Sequence, residues 1–430
     1  MKFIADLHIH SKFSRATSRD MTLDHLACWA KIKGISLLGT GDFTHPEWLF
    51  LCKEKLIPTE NGFFRLKSVI PPEDEELRPF SNQASLTSFV LSAEISLIYS
   101  KWGKVRKIHL LLLAPDFETV DRINLKLSGI GNLRSDGRPI LGLDARDFLR
   151  MISRSAPRCV VIPAHVWTPW FSLFGANSGF DSIEECFEEM TPSIFALETG
   201  LSSDPAMNRR LSKLDGYALI SNSDAHSPSK IGREANVFET GFSFDGLMTA
   251  IRSNDPEKFL STLEFFPEEG KYHSDGHRKC DIILSPLETK KHHYLCPKCG
   301  KKLTVGVLHR VNELADREPG EPSSRRIPFR NLIPLNEIIG QAVEKSAGCR
   351  SVEHLYFRFI HEFGDEFTIL TETSIDDLKR VSPDRIAEGI DRMRRGKVRI
   401  VPGHDGCFGR ISLFSSESEE QEDAGQLTLF

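Results

Sequence analysis

The chain has 430 residues, too many for one ordinary core and enough for a large domain with smaller attachments. With 40% hydrophobic and 27% charged residues it is neither a disordered nor a membrane class, and its nine cysteines, odd in number and mostly scattered, argue against a disulfide framework. The net charge of -5 sets no expectation about nucleic acid, because part of the acidity lies in a Glu/Asp-rich stretch near the C-terminus.

The opening residues Met1–Asp6 lack a basic region followed by an apolar one, and no long apolar run follows, so a cytoplasmic location without membrane contact is expected. Up to about residue 255, short apolar runs alternate with amphipathic stretches such as Leu23–Lys33. The runs are Lys2–Ala5, Ile35–Leu38, Phe89–Leu91, His109–Leu113, Val160–Pro163, Phe195–Leu197 and Ala218–Ile220. This alternation predicts parallel strands with crossover helices, closing into a distorted β/α barrel whose reactive groups follow the C-terminal strand ends. Residues 272–330 are rich in Lys, Arg, His and Cys and mark a small module. Residues 331–413 return to helical spacing and predict a compact helical domain, while 414–430 form a polar, acidic tail that cannot bury a core.

Metal-ligating residue types cluster where the barrel reading predicts them. His8 and His10 share one side of extended chain because side-chain direction repeats every two residues, and Asp224 and His226 repeat that alternation near the far end. Asp42, Glu94, His109 and His165 stand at or beside the intervening strand ends. Mixed imidazole and carboxylate donors suit Zn, Mn or Fe, and a bridging carboxylate lets ions sit close together for phosphate-ester hydrolysis. Asp6 and Glu198 are read as groups that orient ligands.

The segments Asp6-Leu-His8-Ile-His10-Ser11, Gly41-Asp42, Ala93-Glu94, His109, Pro163-Ala164-His165 and Ser223-Asp224-Ala225-His226 resemble the PHP (polymerase and histidinol phosphatase) family signature over roughly the first 250 residues. The resemblance implies a trinuclear metal centre with His8, His10, Asp42, Glu94, His109, His165, Asp224 and His226 as ligands, and Asp224, Glu94 and His8 at the centre of catalysis. Two departures stand out: Asp42 occupies the place where relatives carry a neighbouring histidine, and a further histidine after the His-x-His pair is missing.

The module at 272–330 carries His277-x2-Cys280-x15-Cys296-x2-Cys299, spacing close to a zinc ribbon in which the ion replaces a missing core. His292, His293 and His309 compete for the fourth position. Structural Zn2+ is expected here, with Zn2+, Mn2+ or Mg2+ in the barrel. Beyond His165, the aromatics Trp167, Trp170 and Phe171 are candidates for stacking on a DNA base, with core packing as the alternative.

The barrel, ribbon, helical domain and tail together resemble the endonuclease Q family across nearly the whole chain. That resemblance implies incision of damaged DNA on the 5′ side of uracil, hypoxanthine, xanthine or abasic sites. The terminal Gln426, Leu427, Leu429 and Phe430 resemble a sliding-clamp-binding peptide. The alternatives are a histidinol-phosphatase-like enzyme of small substrates, which needs no ribbon or tail, and a polymerase-associated exonuclease or non-catalytic clamp-bound DNA binder.

Overall fold

Strands form at all seven places where the apolar runs predict them: Lys2–Asp6, Leu37–Gly39, Ser88–Lys101, Lys104–Ala114, Val160–Pro163, Ala196–Glu198 and Ala218–Ile220. The computed structural model describes residues 1–321, 327–381 and 383–414; the acidic stretch and the clamp-like residues Gln426, Leu427, Leu429 and Phe430 lie outside the described residues. Leu37–Gly39, Val160–Pro163, Ala196–Glu198 and Ala218–Ile220 are buried throughout. Burial on both faces is why these strands read as continuous apolar runs instead of alternating ones.

The pairing departs from an all-parallel closed barrel. Ser88–Lys101 and Lys104–Ala114 form one long antiparallel hairpin, with Leu91 opposite Ala114 and Lys101 opposite Lys104. Trp102 and Gly103 turn the chain at φ values of 53° and 73°. A crossover between parallel strands needs a dozen or more residues, and the turn at Trp102 and Gly103 leaves no room for one. Ala235–Glu239 and Phe259–Glu264 add two further antiparallel pairings beside Lys2–Asp6. The result is an 11-stranded mixed sheet, with Ala196–Glu198 and Ala218–Ile220 as a separate parallel pair. Individual polar links join the separate pair to its neighbours. The Val166 amide donates to the Glu198 carbonyl at 3.0 Å, the Leu7 amide to Asn222 Oδ1 at 2.8 Å, and the Asp224 amide to the His8 carbonyl at 2.9 Å.

Three of the helices around the sheet start where a side chain satisfies a free amide. Asp116 accepts from the Thr119 amide at 2.7 Å, Asp144 from Arg146 at 2.8 Å and Ser243 from Gly246 at 3.1 Å. No helix among the described residues is long and apolar enough to cross a membrane.

Beyond residue 255 the attachments are tied into the main body. Phe329–Asn331 pairs in parallel with Phe259–Glu264, so the expected boundary near residue 330 falls inside a strand of the large sheet. Helices Leu335–Ala342, Arg350–Phe363, Glu366–Thr371, Ile375–Val381 and Asp384–Arg394 follow. They share one apolar core with the sheet region, and Tyr356 and Phe357 pack on Trp29 of helix Leu23–Lys33 at 6.4 and 6.2 Å. Within that contact Lys33 Nζ lies 2.5 Å from Glu366, which also accepts from the Tyr356 hydroxyl at 2.6 Å and the Leu335 amide at 2.9 Å. Both charged side chains are almost wholly buried. Glu366→Ala strands the Lys33 ammonium without its counter-charge, which costs about 3–5 kcal/mol. A Lys33→Met/Glu366→Leu double variant, which removes both charges, is expected to recover most of the loss in a urea denaturation midpoint.

Candidate metal centre

Glu94, at the middle of the long hairpin, is fully buried and divides its two oxygens between two groups of histidines. Oε1 lies 2.6 Å from His109 Nδ1 and 2.9 Å from His165 Nε2. Oε2 lies 3.2 Å from His10 Nε2 and 3.6 Å from His8 Nε2, and accepts from Arg138 Nη1 at 2.8 Å. Asp224 Oδ1 closes the second group at 2.9 Å from His10 Nε2. In each of the groups His8/His10/Glu94/Asp224 and Glu94/His109/His165 the donor atoms lie within 4.8 Å of one another. Burial alone would raise the Glu94 carboxyl, but the His109 and Arg138 charges beside it hold it well below the usual carboxylate range.

The donor set fits metal ions. His8 Nε2, His10 Nε2 and Asp224 Oδ1 are buried atoms that nothing outside the donor group satisfies, and they lie within 4.8 Å of one another. Buried polar atoms left in that state cost stability unless something else satisfies them. The opposite ring nitrogens are held by the protein. Glu198 lies 3.0 Å from His8 Nδ1 and also takes the His165 amide and the Asn222 side chain at 2.9 and 2.8 Å. Fixing Nδ1 in this way directs Nε2 toward the ion position. Asp6 acts one step further back, accepting from Ser223 Oγ at 2.6 Å and from the Gly232 amide at 2.8 Å. These bonds pin the loop that presents Asp224 at a φ of 48°.

Two expected ligands are placed differently. Asp42 sits behind His10: its carboxylate lies 3.0 Å from His10 Nδ1 and accepts from the Ser11 amide and hydroxyl at 2.6 Å each and from Ser14 at 2.9 Å. With both oxygens so engaged, it lies behind His10 and outside both donor groups. His226 is half-exposed, its Nδ1 lies 2.7 Å from the Asp224 carbonyl oxygen, and its ring rests 4.5 Å from that of His10, outside both donor groups. The described residues therefore gather two donor groups that share Glu94.

Arg138 was not legible in the sequence. It lies in an irregular loop whose preceding Gly137 packs so tightly that a Cβ there would fall 2.2 Å from Asp42 Oδ2. Only glycine permits that approach, and the approach carries the guanidinium to Glu94. Among the aromatics after His165, Trp167 is buried, packs tilted against Phe174 at 4.9 Å and donates to Asn208 at 2.7 Å, so it serves the core and not a base. Phe171 lies 4.8 Å from the His109 ring, and Trp170 is exposed.

A third donor group, His277, Cys280, Cys296 and Cys299, assembles around the Asp275–His277/Ile282–Leu284 hairpin, with His277 Nδ1 3.5 Å from Cys299 Sγ. Burial opposes ionisation of Cys296, but the backbone amides of Cys299 and Lys298 pull its thiol down to about 7. His309 is excluded as the fourth ligand because it pairs with buried Asp275 at 2.6 Å. His292 and His293 lie outside the group.

Family models described as "PHP-associated" and "MJ0043 C-terminal domain" match residues 207–256 and 334–397. The uncharacterized protein YqxK of Bacillus subtilis is 30% identical over 425 residues, 95% of this chain and 99% of that protein. The crystal structure of the lesion-specific endonuclease PfuEndoQ from Pyrococcus furiosus is 30% identical, with a TM-score of 0.82 and 100% of both chains covered. The chain belongs to the endonuclease Q family. A second endonuclease Q structure, a complex with a 27-mer duplex substrate carrying an abasic lesion at the active site, is 31% identical with a TM-score of 0.81, covering 98% of this chain and 100% of that one. The uncharacterized MJ0043 of Methanocaldococcus jannaschii is 36% identical over 255 residues, 57% of this chain; the match spans only 31% of that relative.

Behind the centre, this endonuclease Q chain buries further carboxyls. Burial pushes Glu264 up to about 8 against its hydrogen bonds from Ser221 and Thr199, and Glu234 beside it is raised as well. A carboxyl whose folded value exceeds its unfolded one holds its proton more tightly in the folded state, so stability falls as pH rises from about 4.5 toward 8 and levels off above. Glu264→Gln should flatten this part of the stability profile and raise the thermal midpoint at pH 8 relative to wild type. Parallel profiles for the two proteins would show that Glu264 is ionised throughout.

Proposed function

We propose that the chain is a metal-dependent DNA repair endonuclease that hydrolyses the phosphodiester 5′ to a deaminated base (uracil, hypoxanthine or xanthine) or an abasic site. The observation that carries this reading is the pair of histidine–carboxylate groups joined by Glu94, set in a chain that matches lesion-specific endonuclease structures from end to end. His8, His10, Glu94 and Asp224 would hold one ion, and Glu94, His109 and His165 another, with Zn2+, Mn2+ or Mg2+ compatible with these donors. When bound, such ions neutralise phosphoryl oxygens and make water a competent nucleophile near neutral pH.

The chain's own residues supply the remainder. Glu198 and Asp42 keep His8 and His10 in one ring orientation. Arg138, a quarter exposed beside Glu94, is placed to meet a phosphate oxygen by charge-assisted hydrogen bonds. Exposed Trp170, five residues beyond His165, offers a face for a base drawn out of the helix. His277, Cys280, Cys296 and Cys299 would hold a structural Zn2+, and Gln426–Phe430 would engage a sliding clamp. A small-molecule phosphatase needs neither of these last two features.

The direct test uses end-labelled duplexes carrying uracil, hypoxanthine, an abasic site or no lesion. Wild type is expected to nick just 5′ of each lesion, His8→Ala to lose incision, and Arg138→Ala to slow it by about 100-fold, the scale for removing a transition-state charge contact. Rapid release of phosphate from small monoesters without nicking would reverse the reading. Removing Gln426–Phe430 is expected to abolish clamp binding in a pull-down while naked oligonucleotides are still incised at the wild-type rate.

A further inference from the structure

Phe408 is the most exposed large hydrophobic side chain among the described residues, at 77%. It sits in the turn between the strands Arg399–Val401 and Arg410–Ser412, and that turn is held firmly. The Gly403 and Gly409 amides donate to the Glu268 and Glu269 carbonyls at 2.8 and 3.0 Å, and the Gly406 amide donates to Lys271 at 2.9 Å. Asp405 accepts from the Arg278 amide at 2.8 Å and from Thr304 Oγ1 at 2.5 Å. A Cβ at Gly409 would fall 2.1 Å from the Glu268 carbonyl oxygen, so the hairpin seats only because glycine stands there. A large apolar ring on a rigid mount, exposed at a cost in hydration, is arranged to meet something.

Its neighbours indicate what. Lys271 Nζ lies 5.6 Å from the Phe408 ring centre and 5.9 Å from that of Tyr272. Tyr272 meets Trp170 edge-on at 6.1 Å. Next in the chain is Phe171, covered by Lys107 at 5.1 Å and 4.8 Å from His109 of the metal centre. Aromatic rings, with Lys107 and Lys271 set against them, thus run outward from the reacting site across the catalytic body, the Cys/His module and the C-terminal hairpin. Exposed Arg278, Lys279 and Arg410 add positive charge around the outer end. Stacking faces interleaved with cations match the alternation of bases and phosphates in a nucleic-acid strand.

We infer that Phe408, Lys271 and Tyr272 form a DNA-stacking surface that holds the strand flanking the lesion, with Phe408 packing on an unstacked base and Lys271 on the adjoining phosphate. This rests on the endonuclease reading above and assigns positioning residues within it.

The test compares full-length wild type, Phe408→Ala, Phe408→Trp and Lys271→Ala on a lesion duplex with 2-aminopurine beside the lesion. Phe408→Ala should weaken binding about tenfold or more and lose the 2-aminopurine fluorescence rise, with thermal stability unchanged. Phe408→Trp should restore both. Lys271→Ala should reduce the salt slope of binding by about one. Wild-type affinity, fluorescence and incision in Phe408→Ala overturn the inference, as does a change confined to oligomeric state, which would assign the patch to a second copy of the chain. If the wild type neither binds nor nicks lesion DNA, the endonuclease reading fails and this surface falls with it; loss confined to the variants is a result that only the stacking surface explains.

Discussion

A fully buried carboxylate in the middle of a β-hairpin is costly unless cations surround it, and the geometry around Glu94 is organised by that requirement. Its two oxygens face His109 and His165 on one side and His8, His10 and Arg138 on the other. Four separate stretches of the chain must converge on one residue for this to occur. The long antiparallel hairpin supplies the rigid support, because Glu94 and His109 lie on its two paired strands and their spacing is set by backbone hydrogen bonds and not by loops.

From Glu94 outward, order is passed on by hydrogen bonds in layers. Glu198, Asp42 and Asp6 touch ligands or ligand-bearing loops and fix ring orientation. Behind them Asn222, Ser221 and the buried Glu264 continue the network. Burial raises the Glu264 carboxyl to about 8 while it accepts from the Ser221 and Thr199 hydroxyls. The separate strand pair Ala196–Glu198/Ala218–Ile220 is joined to the large sheet through this layer, so breadth of pairing is exchanged for positioning of ligands.

The attachments serve the same site from outside. The helix Val307–Leu314 docks on the segment after His165, where Arg310 donates to the Phe174 and Phe180 carbonyls at 3.1 and 3.2 Å. The C-terminal hairpin docks on the Cys/His module through Asp405. Trp170, Tyr272 and Phe408, far apart in the chain, are brought onto one surface by these two contacts.

Strand positions, and the residue types His8, His10, Glu94, His109, His165 and Asp224 and His277, Cys280, Cys296 and Cys299 that the fold gathers into clusters, were legible in the sequence. Each is governed by a local regularity: apolar runs mark buried strands, a two-residue period puts ligands on one side, and x2 spacing fits a metal knuckle. The sequence could not show that Asp42 lies behind His10, outside the donor groups, since residue type and position at a strand end are the same for both; the Ser11 and Ser14 bonds that occupy its oxygens set it apart. Nor could it show that Trp167 turns inward while Trp170 faces solvent, that Arg138 reaches Glu94, or that two of the strands reverse instead of crossing over. Those outcomes depend on which distant groups meet, and distant contacts are set by packing of the whole chain, whereas periodicity and spacing report only on neighbours along it.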